Sequence, residues 1–191
     1  MRLDWNLEVP VEPGLISLMQ AAADQAVLSE GLGMPCSASV RFCGDDEIQK
    51  LNARLRGIDR STDVLSFPAI SWRKGITAGK DSVRLRKGYD PEEGCCFLGD
   101  VVISVDHLKA QAEEYGHSQA REAAYLLVHS LCHLMGYDHM KEEEKSVMRE
   151  KEEEILNAVG LTRDGMGTVS DETLLALARE AMTRSYSPYS H

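Results

Sequence analysis

The sequence is short of several things, and each shortage argues against a class of protein. No apolar run approaches the roughly 20 residues needed to cross a bilayer. The opening Met1-Arg2-Leu3-Asp4-Trp5 has no secretory apolar stretch behind it. Both point to a cytoplasmic protein without a membrane partner. The five cysteines, at 36, 43, 95, 96 and 132, are odd in number and form no CxxC pair. Reduced, buried thiols fit that pattern better than a disulfide framework or a Cys-rich zinc site. Positive charge is also scarce: 21 Lys and Arg face 31 Asp and Glu, a formal net charge of −10. A surface that coats nucleic acid broadly is normally basic, so this balance argues against one, while leaving room for a local basic groove.

What remains is a soluble, globular composition, 43% hydrophobic and 27% charged over 191 residues. One main domain with a sizeable core is the default at this length, and two small domains are not excluded. Within it, His129-Ser-Leu-Cys-His133-Leu-Met-Gly136-Tyr-Asp-His139 closes an apolar run that begins near Ala123. Residues four apart on a helix share a face about 6 Å apart along the axis, so His129 and His133 can aim at one point. Gly136 offers a place to end the helix and turn back, bringing His139 round as a third ligand. Three imidazoles with an open position suit a catalytic zinc, whereas a structural zinc closes its shell with a fourth protein ligand. Cys132 faces away from the histidine line and is read as core.

Elsewhere the chain alternates short strands and helices. Residues 2 to 9 read as a first strand, and Leu15 through Val27 follow helical spacing from Pro13 to Gly31. Ala38, Val40 and Phe42 form a half-buried strand; Asp45 or Asp46 caps a helix whose Ile48, Leu51 and Leu55 face the core. Residues 62 to 68 make another strand, stopped by Pro68. Residues 69 to 94 have little periodicity and many cations, so they read as a loop or protruding β-ribbon: either solvated, or a contact surface for an anionic partner. Residues 95 to 104 form a strand bulged near Gly99-Asp100, Ser104 caps a helix to about Glu114, and Ser118 caps the histidine helix. That helix, apolar on nearly every side, should be central in the core. Residues 141 to 158 read as a solvated surface helix held by charge pairs, with a narrow apolar face of Val147, Met148, Ile155, Leu156 and Val159. A short helix near Asp171 to Met182 and a mobile tail complete an extension over 161–191.

Zinc on three neutral imidazoles lowers the pKa of bound water enough to supply hydroxide near neutral pH. The spacing also matches His-x-x-x-His-x-x-Gly-x-x-His of metzincin proteases, but Ser130 stands where their proton-handling Glu follows the first His. Peptide hydrolysis needs that proton transfer to a poor leaving group. Phosphodiester cleavage leans more on stabilising charge at phosphorus, which a metal and a guanidinium can supply. Arg56 is the electrostatic partner if folding brings it to the pocket; otherwise it is an ordinary helix-end residue.

The stretches Leu51 to Pro68, Leu98 to Ser104 and His129 to His139 together closely resemble the YbeY family of bacterial endoribonucleases. The order and spacing span much of residues 1–160. The resemblance implies an α+β fold, a small mixed sheet packed by helices around the histidine helix. It implies a single-strand-directed endoribonuclease with one Zn²⁺, active in ribosomal RNA maturation, particularly of small-subunit rRNA, and in ribosome quality control. Its partners would be single-stranded RNA, rRNA precursor and the ribosome or its small subunit. By the same resemblance His129, His133 and His139 are the metal ligands, and Arg56 matches the family's cleft arginine, read here as positioning phosphate. Asp63 and Asp100 could orient an imidazole or move a proton, yet Asp63 could equally fix a turn and Asp100 the bulge; Ser66 is similarly open. Asp138 is read as a turn residue. The basic insertion at 69–94 and the 161–191 extension depart from the compact family pattern, and Arg84, Arg86 and Lys87 are candidate RNA contacts. A zinc metalloprotease and a noncatalytic ribosome-associated module are the alternatives.

Overall fold

A computed structural model of the chain describes residues 1–162. Its elements run β1 (Arg2–Leu7), α1 (Pro13–Glu30), β2 (Cys36–Cys43), α2 (Asp45–Arg56), β3 (Val64–Pro68), a 3₁₀ turn (Ala78–Lys80), α3 (Ser82–Lys87), β4 (Tyr89–Asp90), β5 (Cys95–Ser104), α4 (Val105–Tyr115), α5 (Gln119–Leu134) and α6 (Glu142–Ala158). The strands form one mixed sheet in the order β1-β2-β5-β3, and the short β4 pairs with the start of β5. β1 and β5 both run parallel to β2, and β3 lies antiparallel to β5. The fold is therefore α+β with a mixed sheet, as the sequence implies.

Alternation along β5 divides its side chains between two cores. Val101 and Ile103 join the main core, formed with β2, α1 and α5; Val102 joins a smaller one with Cys43, Ile48, Leu51 and Leu65. Glycine permits the expected bulge in β5. The register against β2 shifts between Ser37 and Ser39, and Gly99 has φ of +144°, with Phe67 O where a Cβ would stand. α5 packs on α1, α4, α6 and the β3 and β5 strands. Leu126, Leu127, Val128, Leu131 and Cys132 are buried along it, so the histidine helix is the central one. Ser118 starts it by accepting the Arg121 N–H at 3.1 Å, and Ser104 caps α4 by accepting the His107 N–H at 3.2 Å.

Several local expectations are corrected. The N-cap of α2 is Gly44; Asp45 and Asp46 sit in the first turn, where carboxylates favour the helix dipole. Leu55 is 53% exposed at the end of α2, because that turn has run past the small core that holds Ile48 and Leu51. Val147 of α6 is likewise exposed, while Met148, Ile155 and Leu156 are buried. Residues 69 to 94 do not protrude as a ribbon. Ile70, Ala78 and Leu85 are buried in the main core and fasten the segment to the body at irregular intervals, which leaves no period to read. The five cysteines are free and buried. No helix among the described residues is long and apolar enough to cross a membrane. The expected helix at 171–182 and the tail lie outside the described residues.

Candidate metal centre

His129 and His133 stand one turn apart on the buried helix, with ring centroids 4.7 Å apart. Helical structure ends at Leu134, and the chain reverses through Gly136 at φ +94°. A side chain there would be strained, and its Cβ would lie 2.7 Å from Cγ of Trp72. The turn delivers His139 with its ring 4.8 Å from that of His133 and 5.8 Å from that of His129. Asp138 braces the turn by accepting the His139 backbone N–H at 2.7 Å.

The rings are held from behind. His129 Nδ1 lies 2.7 Å from Glu152 Oε1, and His133 Nδ1 lies 3.1 Å from the Tyr137 carbonyl oxygen. Both oxygens accept, so each Nδ1 carries the proton and leaves an Nε2 lone pair for a metal. Burial, reinforced by His129 and His139, pushes His133 down to about 4, which keeps it a neutral ligand at pH 7. One ligand atom from each histidine lies within 4.8 Å of the others. Metal–nitrogen bonds of about 2.0–2.1 Å require only that this triangle tighten. The donor set thus fits one zinc, with three imidazoles and, among the described residues, no fourth ligand in the cluster.

Glu152 is the functional residue that sequence reasoning missed. It is only 4% exposed, within a helix read as solvated. Its signal is positional: it stands four residues after buried Met148 and three before buried Ile155, an acid on the apolar stripe. Glu30, at the end of α1, is a second omission. Its Oε2 accepts the Tyr137 hydroxyl at 2.6 Å and its Oε1 accepts the Gly79 N–H at 3.0 Å. The Trp72 indole N–H also donates to Leu134 O at 2.7 Å, so two distant segments, the end of α1 and residues 72–79, converge on the turn after His133.

The histidines open into a cleft whose wall includes Arg56, Asp63, Ser66 and Tyr125. Arg56 is exposed at the last turn of α2. The loop behind it is fixed where Asn52 Nδ2 donates to Arg60 O at 2.7 Å. Asp63 is occupied in bracing its own strand: Oδ1 accepts from Val64 N at 2.8 Å and Thr62 Oγ1 at 3.0 Å, and Oδ2 from Gln111 Nε2 at 3.1 Å. The turn-fixing alternative describes these contacts. Asp100 is exposed on β5 and outside the cleft lining, and it is Glu152 that holds an imidazole. Ser130 is fully buried and does not line the cleft. Arg84 turns to Ser71 O and Asp81, Arg86 bonds within its own turn to Ser82, and Lys87 is exposed; none of the three lines the cleft. The cations that do are Arg56, Arg73, Lys74 and Lys80.

Comparison with known proteins gives this geometry a family. A family model described as Endoribonuclease YbeY matches residues 5–160. A Pelotomaculum thermopropionicum protein named Endoribonuclease YbeY is 43% identical over 156 residues, covering 82% of this chain and 93% of the relative. A protein of the same name from Caldanaerobacter subterraneus subsp. tengcongensis is 45% identical over 150 residues, 78% of this chain and 90% of the relative. The solution structure of TM1509 from Thermotoga maritima shares the fold, with a TM-score of 0.55 at 19% identity and full coverage of both chains. With one model spanning most of the chain and relatives above 40% identity over nearly their whole length, this chain belongs to the Endoribonuclease YbeY family.

Proposed function

We propose that the chain is a zinc-dependent endoribonuclease that cuts single-stranded RNA during ribosomal RNA maturation, chiefly of small-subunit rRNA, and in ribosome quality control. It works in the cytoplasm on rRNA precursor or on the ribosome and its small subunit. Residues 1–160 are the catalytic domain, and 161–191 an extension to it. The observation that carries the reading is one cleft holding three converging histidines, two with Nδ1 already hydrogen bonded, beside the guanidinium of Arg56, which has no ion pair among the described residues.

A zinc ion held by His129, His133 and His139 would supply Lewis acidity and a source of hydroxide near neutral pH. The protein's own groups do the rest. Glu152 keeps the His129 proton on Nδ1, and the Tyr137 carbonyl does the same for His133. Arg56 binds a phosphoryl oxygen and offsets charge that grows there as the bond breaks. Asp63 holds the β3 wall, Ser66 offers a hydroxyl to the strand, and Asp100 supports the bulge of β5. Arg84, Arg86 and Lys87 give RNA an outer contact, so neutralising them weakens binding and flattens its salt dependence. Peptide hydrolysis is disfavoured because Ser130 lies in the core, with no carboxylate in its place to carry a proton to an amine.

The test is cleavage of end-labelled single-stranded rRNA fragments by zinc-loaded protein, beside metal-stripped protein and the H129A and R56A variants. Cleavage by loaded wild type and its loss in the other three, with folding intact, supports the assignment. Equal cleavage after verified metal removal and in H129A refutes the site. RNA binding that persists after metal removal, by folded protein that does not cut even when zinc-loaded, favours a noncatalytic ribosome-associated module.

A further inference from the structure

Charge around the cleft is sorted by segment. Arg73, Lys74 and Lys80 come from the stretch between β3 and α3, whereas Asp138, Glu143 and Glu144 come from the histidine turn and the start of α6. The three cations are exposed, and none forms an ion pair among the described residues. Some cations elsewhere are paired with acids: Arg41 with Glu8 and Glu47, Arg84 with Asp81, Lys151 with Glu154.

The segment that carries them is also rigidly referenced to the metal ligands. Trp72 donates to the carbonyl of Leu134, and Ala78 N–H donates to that of Met135 at 2.8 Å. Those are the two residues that follow His133. Glu30 closes the arrangement by accepting from both Gly79 and Tyr137. Cations on such a support keep a fixed offset from the histidines, so a strand lying on them is presented to the metal centre in one register.

We propose that residues 72–80 form a phosphate track, and that single-stranded RNA at the metal centre runs over Arg73, Lys74 and Lys80 and away from the Glu143–Glu144 rim. The inference rests on the endoribonuclease reading and adds the path of the substrate to it. Lysine and arginine contacts to phosphate carry no base information. The track therefore sets affinity and strand direction without selecting sequence, and its loss raises KM while leaving kcat nearly unchanged.

The experiment compares zinc-loaded wild type with R73Q/K74Q/K80Q and with a K50Q/K109Q/K145Q variant, which removes the same charge outside the cleft lining. The probe is a mixed-sequence single-stranded RNA of roughly 20 nucleotides, and binding and cleavage are followed against salt. Three lost phosphate contacts lower the slope of log affinity against log salt by about 2. The track variant is expected to show that change, with roughly tenfold weaker binding at moderate salt and kcat within about twofold. The outside variant is expected to move the slope by less than half a contact. A charge-retaining R73K/K74R/K80R variant should restore the slope, which separates lost contacts from damaged folding. Equal slopes in the two neutralised variants, with wild type still cutting, overturn the track and leave the endoribonuclease reading standing. If loaded wild type neither binds nor cuts RNA, both fall.

Discussion

Replacing Glu152 separates the metal centre from the rest of the fold. Its carboxylate, on a side chain 5% exposed, accepts from His129 Nδ1 at 2.7 Å. Partners that hold the far nitrogen of a ligating imidazole typically change metal affinity by about 10- to 100-fold when removed, which is about 1.4–2.8 kcal/mol. Glu152→Gln keeps the shape and an oxygen that still accepts from Nδ1–H. It removes only the charge, and a charge-assisted bond is about twice as strong as a neutral one. The expected loss is therefore near the lower figure, about tenfold in zinc affinity. Glu152→Ala removes the acceptor and frees the ring to turn, so about 100-fold is expected. Competition against a chromophoric zinc chelator reads both. Urea unfolding of the metal-free proteins supplies the control, and there Glu152→Gln should change stability by no more than about 1 kcal/mol, since a buried carboxylate also carries a desolvation penalty. Zinc affinities for both variants within about twofold of wild type would refute the orienting role.

Three further perturbations test the supports around the site. Gly136→Ala meets both a positive φ and the Trp72 ring, so it should destabilise by about 1–3 kcal/mol and weaken zinc binding together; denaturant midpoint and chelator competition check it. Glu30→Ala removes two bonds to one carboxylate and Tyr137→Phe removes one of them, so the losses should rank in that order, about 1–3 kcal/mol for the first, by the same unfolding assay. Buried Glu122 titrates far above the usual carboxylate range, at about 7: burial is the main cause, Asp63 adds to it, and Arg121 opposes it. His117 Nε2 lies 3.3 Å from its Oε2. Because the folded state holds this proton more tightly, the contribution is complete below the unfolded pKa near 4.5 and is lost as pH rises through about 7. Glu122→Gln should abolish that part of the decline, seen as a flatter thermal midpoint between those pH values.

The histidine cluster was legible because its determinants are local. An i,i+4 pair, a stop glycine and a third histidine lie within 11 residues, and helix periodicity turns their spacing into direction. The family pattern similarly pointed to Arg56, which the fold does carry to the cleft. Glu152 and Glu30 were opaque because each acts across the fold, 23 residues from His129 and 107 from Tyr137. Charge density also disguised Glu152: a helix crowded with Glu and Lys reads as solvated, although its register alone placed that carboxylate against α5. The segment at 69–94 failed for a different reason. Its buried apolar anchors are the isolated residues Ile70, Ala78 and Leu85, and no period relates them, so the segment reads as loose although it is pinned.

The chain's charge of −10 and its proposed polyanionic substrate are compatible because the two act at different ranges. At physiological ionic strength exposed charges are screened within about 8 Å, so a phosphate in the cleft responds to Arg56, Arg73, Lys74 and Lys80 far more than to acids on distant faces. The distant acids still matter collectively, by disfavouring adventitious RNA on the acidic faces. Near the histidines Glu143 and Glu144 do the same work at short range. On the proposed reading, an acidic protein with a small basic cleft favours phosphate binding beside the histidine cluster over its acidic faces.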